Sequence, residues 1–140
     1  RASSTSPGVP MAKAIHSMIR VLDEERSLAF YREAFGLEIA QRIDFDSFSL
    51  IYLSNGESEF ELELTVNQGT EQPYDLGNGY GHMAFSVDDL AAEHARFTAA
   101  GLNPDPLKEL SRGDFTGRYF FVSDPDGYRI EVLQRGGRFK

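Results

Sequence analysis

The sequence predicts an α+β fold of two tandem βαβββ modules, at about residues 12–67 and 80–135, within one domain spanning 11–135. Its 140 residues, 41% of them hydrophobic, allow one core of ordinary size. The chain also repeats a pattern, in which a histidine is followed five positions later by valine and two positions further on by aspartate. The pattern starts at His16 and again at His82. Such a repeat indicates one structural unit used twice.

In the first module, residues 14–21 alternate between aliphatic and other side chains, which predicts a strand. The face opposite the aliphatic residues carries His16, Met18 and Arg20. Asp23 can cap the helix that follows, and Gly36 stands where a helix-ending glycine belongs. These residues predict a strand followed by a helix.

A hairpin is predicted to close the first module. Segments 47–53 and 60–66 have strand character and flank Asn55 and Gly56, a strong hairpin signal. The second segment alternates, so that its leucines face one way and Glu63 faces the other.

The second module repeats this order. A strand at 82–87 carries His82, and a helix starting at Asp88 or Asp89 is predicted to follow it. Two strands, at 119–122 and 128–133, then flank a tight turn of sequence Asp-Pro-Asp-Gly.

Four side chains of metal-ligand type lie on the predicted strands, opposite the aliphatic residues. They are His16, Glu63, His82 and Glu131, one histidine and one glutamate from each module. If the modules pack with pseudo-symmetry, the four converge on one point. Two imidazoles and two carboxylates suit a divalent ion such as Zn, Ni, Co, Mn or Fe. The alternative is that these four are ordinary solvent-exposed strand residues. Exposure to solvent, however, gives no reason for histidine and glutamate to recur at equivalent positions in both modules. His94, on the second helix, is expected to be structural.

Charge and composition limit the possible binding partners and the cellular compartment. The 22 acidic residues exceed the 14 basic ones, and the net charge of −8 disfavours nucleic-acid and membrane partners. The absence of cysteine removes disulfides, thiolate ligands and a cysteine nucleophile, and favours a cytoplasmic location. Residues 1–10 are expected to be an expression-vector remnant before a natural start at Met11, with a native flexible tail as the alternative.

The motifs resemble the glyoxalase I branch of the vicinal-oxygen-chelate superfamily, over residues 14–134. The matching segments are 16–21, 27–31, 61–67, 79–82 and 124–131. The resemblance implies a cup-shaped mixed sheet and isomerisation of the methylglyoxal–glutathione hemithioacetal to S-D-lactoylglutathione. It implies that Glu131 is the main proton-shuttling base, and that Glu63 is its counterpart for the other substrate face.

The same resemblance assigns Arg20 and Asn67 to glutathione binding. Position 78 is Asn where some longer members of the family carry a glutathione-binding arginine. Three basic residues in the expected loop before the last strands are further candidates for this contact: Lys108, Arg112 and Arg118.

The resemblance also implies a homodimer, in which one chain supplies His16 and Glu63 and its partner supplies His82 and Glu131. The short chain resembles the bacterial type, so Ni or Co is expected rather than Zn. Other proteins of this fold remain alternatives: an epimerase, a dioxygenase, a thiol transferase or a metal-free drug-binding module. A metal-free module would bury four titratable groups without a metal, at considerable desolvation cost.

Overall fold

The computed structural model describes residues 8–140, so most of the expected vector remnant, residues 1–7, lies outside the described residues. The elements of the first module are β1 (His16–Arg20), α1 (Glu24–Phe35), β2 (Glu38–Asp44), β3 (Phe48–Ser54) and β4 (Glu61–Asn67). Those of the second module are β5 (Met83–Val87), α2 (Leu90–Ala99), β6 (Lys108–Arg112), β7 (Phe115–Ser123) and β8 (Arg129–Gln134). The predicted α+β fold of two βαβββ modules is confirmed.

Each module forms its own four-stranded mixed sheet. The strand orders are β1–β4–β3–β2 and β5–β8–β7–β6. The first strand of each module pairs with the last one in parallel, and the other pairs are antiparallel. Paired residues on neighbouring strands lie on the same face, so the register decides which side chains meet.

The helices join the two modules into one hydrophobic core. The ring of Phe35, at the end of α1, stacks on Phe85 of β5 with the centroids 3.9 Å apart. Arg96 of α2 donates to the carbonyl oxygens of Glu33 and Ala34, which supplies partners that the end of α1 would otherwise lack. Within residues 8–140, neither helix is long and apolar enough to cross a membrane.

The turn at residues 124–127 also connects the modules. The Tyr31 hydroxyl donates to Oδ2 of Asp124 at 2.6 Å, and Oδ1 of Asp126 accepts from the backbone N–H of Leu22. Burial raises the pKa of the Asp124 carboxyl, although its hydrogen bonds oppose the shift. Burial and the nearby Asp124 raise the pKa of the Tyr31 phenol. The turn is therefore a buried polar contact as well as the link between β7 and β8.

The predicted helix ends are confirmed. The side chain of Asp23 accepts a hydrogen bond from the backbone N–H of Arg26, and α1 ends at Gly36 with a φ of 64°. This left-handed conformation favours glycine. The second helix is capped by Asp89 rather than Asp88.

Two connections differ from the predictions. The hairpin between β3 and β4 forms, but Asn55 and Gly56 begin a longer connection at 55–60, and Gly56 does not have a left-handed φ. The Asn55 amide instead donates to the carbonyl oxygen of Phe35, so contact with the helix end shapes this connection. The second difference is that the expected loop at 108–112 is strand β6, which pairs with β7.

Candidate metal centre

The first pair of ligand-type side chains lies on β1 and β4. Met18 is beside Glu63 in the parallel register, and His16, two residues before Met18, points to the same face. Nε2 of His16 lies 3.0 Å from Oε1 of Glu63. Glu63 is buried, with 8% of its surface exposed. The structure thus brings together the predicted histidine and glutamate of the first module.

The second pair has a matching arrangement at β5 and β8, except that His82 lies directly before the first residue of β5 rather than within the strand, where the sequence predicts it. Ala84 is beside Glu131 in the parallel register, and His82 precedes Ala84 by two residues. Nε2 of His82 lies 3.1 Å from Oε1 of Glu131. The repeat seen in the sequence therefore corresponds to two structurally matched His–Glu pairs.

The residue opposite each glutamate on the next strand differs between the pairs. Tyr52 of β3 is the register partner of Glu63, and its hydroxyl donates to Oε2 of Glu63 at 3.0 Å. This hydrogen bond raises the pKa of the Tyr52 phenol. Phe121 of β7 is the register partner of Glu131, and its ring meets the imidazole of His82 edge-on.

The chemistry of the donor atoms suits a divalent transition metal. In the structure each imidazole nitrogen is in direct ion-pair contact with the carboxylate of its own module. The separations between imidazole nitrogen and carboxylate oxygen are 3.0 Å and 3.1 Å. Imidazole and carboxylate ligands without sulfur suit Ni, Co, Zn, Mn or Fe.

A single chain does not bring the two pairs together. Among residues 8–140, no group of three or more histidine, aspartate or glutamate side chains is placed to hold a metal ion. Each module therefore presents one histidine and one glutamate of the predicted four-ligand set.

The two predicted substrate-binding residues lie beside the first pair. Arg20 shares the face of His16 and is exposed, and its guanidinium makes no hydrogen bond or ion pair with the described residues. Asn67, at the end of β4, donates from Nδ2 to the hydroxyl of Tyr74 at 3.0 Å. Arg20 is thus available to an external anion, whereas Asn67 already has a partner.

The strand register separates the three basic candidates. Phe121 shares the face of Glu131, and alternation along β7 and β6 puts Lys108 and Arg112 on that face as well. Arg118 lies on the opposite face. The register therefore leaves Lys108 and Arg112 as candidates near the second pair.

Tyr52, Phe121 and Tyr74 contact the predicted residues, but sequence reasoning did not single them out. Their roles depend on which residues pair across a hairpin, and alternation within one strand does not reveal that. The sequence held no usable signal for Tyr52, because a two-residue turn at Asn55 and Gly56 would pair it with Glu59 instead of Glu63. His94, expected to be structural, bonds through Nε2 to the carbonyl oxygen of Asp105 at 2.8 Å.

Two βαβββ modules, each with four strands and a helix, place the chain in the class of paired-module α+β folds. The profile of the Glyoxalase/Bleomycin resistance protein/Dioxygenase superfamily matches residues 13–132. The chain belongs to this superfamily.

Two curated relatives share much of the sequence. A probable lactoylglutathione lyase from Synechocystis is 39% identical over 132 residues, which cover 89% of this chain and 96% of the relative. The lactoylglutathione lyase of Pseudomonas aeruginosa is 39% identical over 145 residues, with coverage of 85% and 80%.

Solved structures agree with this relationship. Glyoxalase I from Leishmania major, described as trypanothione-dependent, matches with a TM-score of 0.72 and 34% identity, over 89% of this chain and 87% of its own. Glyoxalase I from Zea mays matches with a TM-score of 0.78 and 30% identity. This match covers 89% of the present chain and 45% of the maize chain, so the present chain spans about half the length of the maize protein.

Proposed function

We propose that this protein is a metal-dependent lactoylglutathione lyase that isomerises the methylglyoxal–glutathione hemithioacetal to S-D-lactoylglutathione. One observation carries the proposal: a histidine and a glutamate of metal-ligand type are paired at equivalent positions in both modules. The named activity of relatives at 39% identity supports the choice among reactions of this superfamily.

The proposed active site lies between two copies of the chain. His16 and Glu63 of one copy would hold the metal together with His82 and Glu131 of the other. The separation of the two pairs within residues 8–140 supports this assembly, because the two halves of the set do not meet within one chain. A homodimer of this kind has two equivalent sites.

Ni²⁺ or Co²⁺ is the proposed metal rather than Zn²⁺. The set of two nitrogen and two oxygen ligands has no thiolate, which suits these ions, and the short chain resembles the bacterial type of the family. When bound, the ion would supply positive charge that stabilises negative charge developing on the substrate oxygens. The lack of cysteine supports a cytoplasmic location for the enzyme.

Glu131 is proposed to carry the substrate proton. Its carboxylate would take the proton from the carbon that bears sulfur, the C–H electron pair would form a C=C bond, and the carbonyl π pair would move onto its oxygen to give an enediolate. The same carboxyl would then return the proton to the adjacent carbon, while the proton of the original hydroxyl passes to the other oxygen, so the substrate is isomerised to a thioester without net oxidation. Glu63 would be its counterpart beside the other substrate face.

Arg20 is proposed to bind a carboxylate of the glutathione part. Its guanidinium is exposed beside the first pair and makes no ion pair with the described residues, so an incoming carboxylate meets no competitor. Asn67 would bind the same part of the substrate alongside the hydroxyl of Tyr74.

The test is metal reconstitution followed by an activity assay. Purified protein is stripped with a chelator and reloaded with Ni²⁺, Co²⁺, Zn²⁺ or Mn²⁺ singly. Thioester absorbance is then followed with methylglyoxal plus glutathione. We expect activity to return with Ni²⁺ or Co²⁺. Glu131→Gln is expected to retain metal and to lose about a thousandfold in kcat, whereas Glu109→Gln, on an exposed strand, serves as the control.

Other outcomes would redirect the assignment. Tight metal binding without thioester formation would contradict the lyase and favour an epimerase or a dioxygenase of the same fold. Failure to bind any metal would contradict the ligand set itself and would favour a metal-free binding module.

A further inference from the structure

The two half-sites differ in one hydroxyl group. Tyr52 and Phe121 occupy equivalent positions, each the register partner of its module's glutamate on the neighbouring antiparallel strand. Each ring also meets the histidine of its module edge-on, with centroids 5.7 Å apart for His16–Tyr52 and 4.9 Å apart for His82–Phe121. The hydroxyl of Tyr52 is the feature that Phe121 lacks.

The Tyr52 hydroxyl restrains the carboxylate of Glu63, and no equivalent hydroxyl restrains Glu131. In Glu63, Oε1 lies 3.0 Å from His16 and Oε2 accepts the Tyr52 hydroxyl at 3.0 Å, so both oxygens are engaged. In Glu131, Oε1 lies 3.1 Å from His82, and Oε2 has no hydrogen bond within residues 8–140. The Glu131 side chain is also more exposed, at 20% against 10%.

We propose that Tyr52 is a positioning residue, which holds Glu63 as the fixed metal ligand and leaves Glu131 as the carboxylate that moves. This inference rests on the proposed function, because a moving carboxylate matters only where a proton is carried. A hydrogen bond from a neighbouring side chain fixes the orientation of a metal ligand. Removal of the Tyr52 hydroxyl is therefore expected to free the Glu63 carboxylate. Phe121 leaves Glu131 free by the same reasoning.

The first test measures metal binding without turnover. Stripped protein is titrated with Co²⁺, and the visible d–d absorbance is followed. Tyr52→Phe is expected to raise the Co²⁺ dissociation constant about tenfold and to alter the spectrum, because Glu63 loses its outer partner. Tyr119→Phe is the matched control, because the Tyr119 hydroxyl makes no hydrogen bond within the described residues. Unchanged Co²⁺ affinity and spectrum in Tyr52→Phe would overturn the proposal.

The second test moves the hydroxyl to the other half-site. Phe121→Tyr is expected to tether Glu131 and to lower kcat about tenfold, with KM little changed and Co²⁺ affinity not weakened. The double variant Tyr52→Phe/Phe121→Tyr transfers the tether from Glu63 to Glu131, so kcat is expected to recover in part as Glu63 becomes mobile. If Phe121→Tyr binds Co²⁺ normally but keeps the wild-type kcat, the assignment of the mobile carboxylate is wrong.

The two tests separate this inference from the proposed function. If reloaded wild-type protein forms no thioester, the lyase assignment fails and so does the moving carboxylate. The Co²⁺ titration still decides whether Tyr52 positions Glu63. If the wild type is active and Tyr52→Phe matches it in Co²⁺ affinity, spectrum and kcat, the lyase stands and the role of Tyr52 is overturned.

Discussion

Glu63 and Glu131 are the same residue type at equivalent strand positions, yet their surroundings differ. Glu63 is the more buried and lies between an imidazole and a phenol, whereas Glu131 lies between an imidazole and an apolar ring. Two like groups in different environments can take different roles in acid–base chemistry. The environments, rather than the residue types, favour Glu131 as the proton carrier.

Arg20 offers a prediction about substrate binding at the residue scale. Arg20→Gln is expected to raise KM for the hemithioacetal about tenfold with kcat little changed, because it removes a charge-assisted contact remote from the reacting carbons. Steady-state kinetics measure both constants. Arg118→Gln, on the face opposite Glu131, is the matched control. A fall in kcat without a change in KM would contradict the binding role.

At the scale of elements, short polar contacts hold the modules and helix ends in place. The turn at 124–127 supplies a buried carboxyl to Tyr31 of α1, and Arg96 of α2 binds the last carbonyl groups of α1. The main predicted strands and both helices followed from alternation and capping residues. The positions of β2 and β6 did not, because neither strand has a buried apolar face: six of the seven residues of β2 and all five of β6 are exposed.

The four candidate metal ligands were predictable from two signals in the sequence. Alternation put each histidine and each glutamate on the non-aliphatic face, and the repeat selected the same positions in both modules. The connection after Asn55 was not predictable, because its shape depends on a hydrogen bond to a helix end distant in sequence. Pairing across that connection is also what brings Tyr52 to Glu63.

Tyr31→Phe tests the contact between the modules. The variant leaves Oδ2 of the buried Asp124 without its hydrogen bond, so the free energy of unfolding should fall by about 2 kcal/mol at pH 7. Urea denaturation measures this change, with Tyr119→Phe as the control. A loss no larger than that of the control would contradict a stabilising role for this contact.

The same variant has a predicted pH dependence. The wild-type Asp124 carboxyl already has a raised pKa because it is buried. The Tyr31 hydroxyl stabilises the carboxylate, so its removal raises the pKa of Asp124 further. The stability deficit of the variant is therefore full at neutral pH and shrinks as pH falls through the raised pKa and Asp124 becomes protonated. Urea titrations at a series of pH values measure the deficit, and a deficit that grows on acidification would contradict this assignment.

The end of α1 provides a test of backbone conformation. Gly36→Ala should lower the free energy of unfolding by about 1 kcal/mol, because a Cβ is disfavoured at its φ of 64° although no atom crowds the position. Gly56→Ala is the matched control, because its surroundings are equally open and its φ is not left-handed. Equal effects of the two substitutions in urea denaturation would contradict this explanation.

At the scale of the whole molecule, the chain carries two half-sites that do not meet within residues 8–140. Each half-site has a His–Glu pair at neighbouring parallel strands and an aromatic ring from the next strand. In the proposed homodimer, unlike halves from two copies would join into two equivalent sites. Such an assembly would account for the repeat, for the matched pairs and for their separation.

Complementation between two inactive variants tests this central claim most directly. One chain carries His16→Ala and Glu63→Gln, the other carries His82→Ala and Glu131→Gln, and different affinity tags allow the mixed dimer to be purified. Each variant alone is expected to be inactive. The mixed dimer combines the intact halves into one of its two sites, so the metal-loaded preparation should show about half of the wild-type activity. A purified mixed dimer without activity would contradict a site shared between two copies.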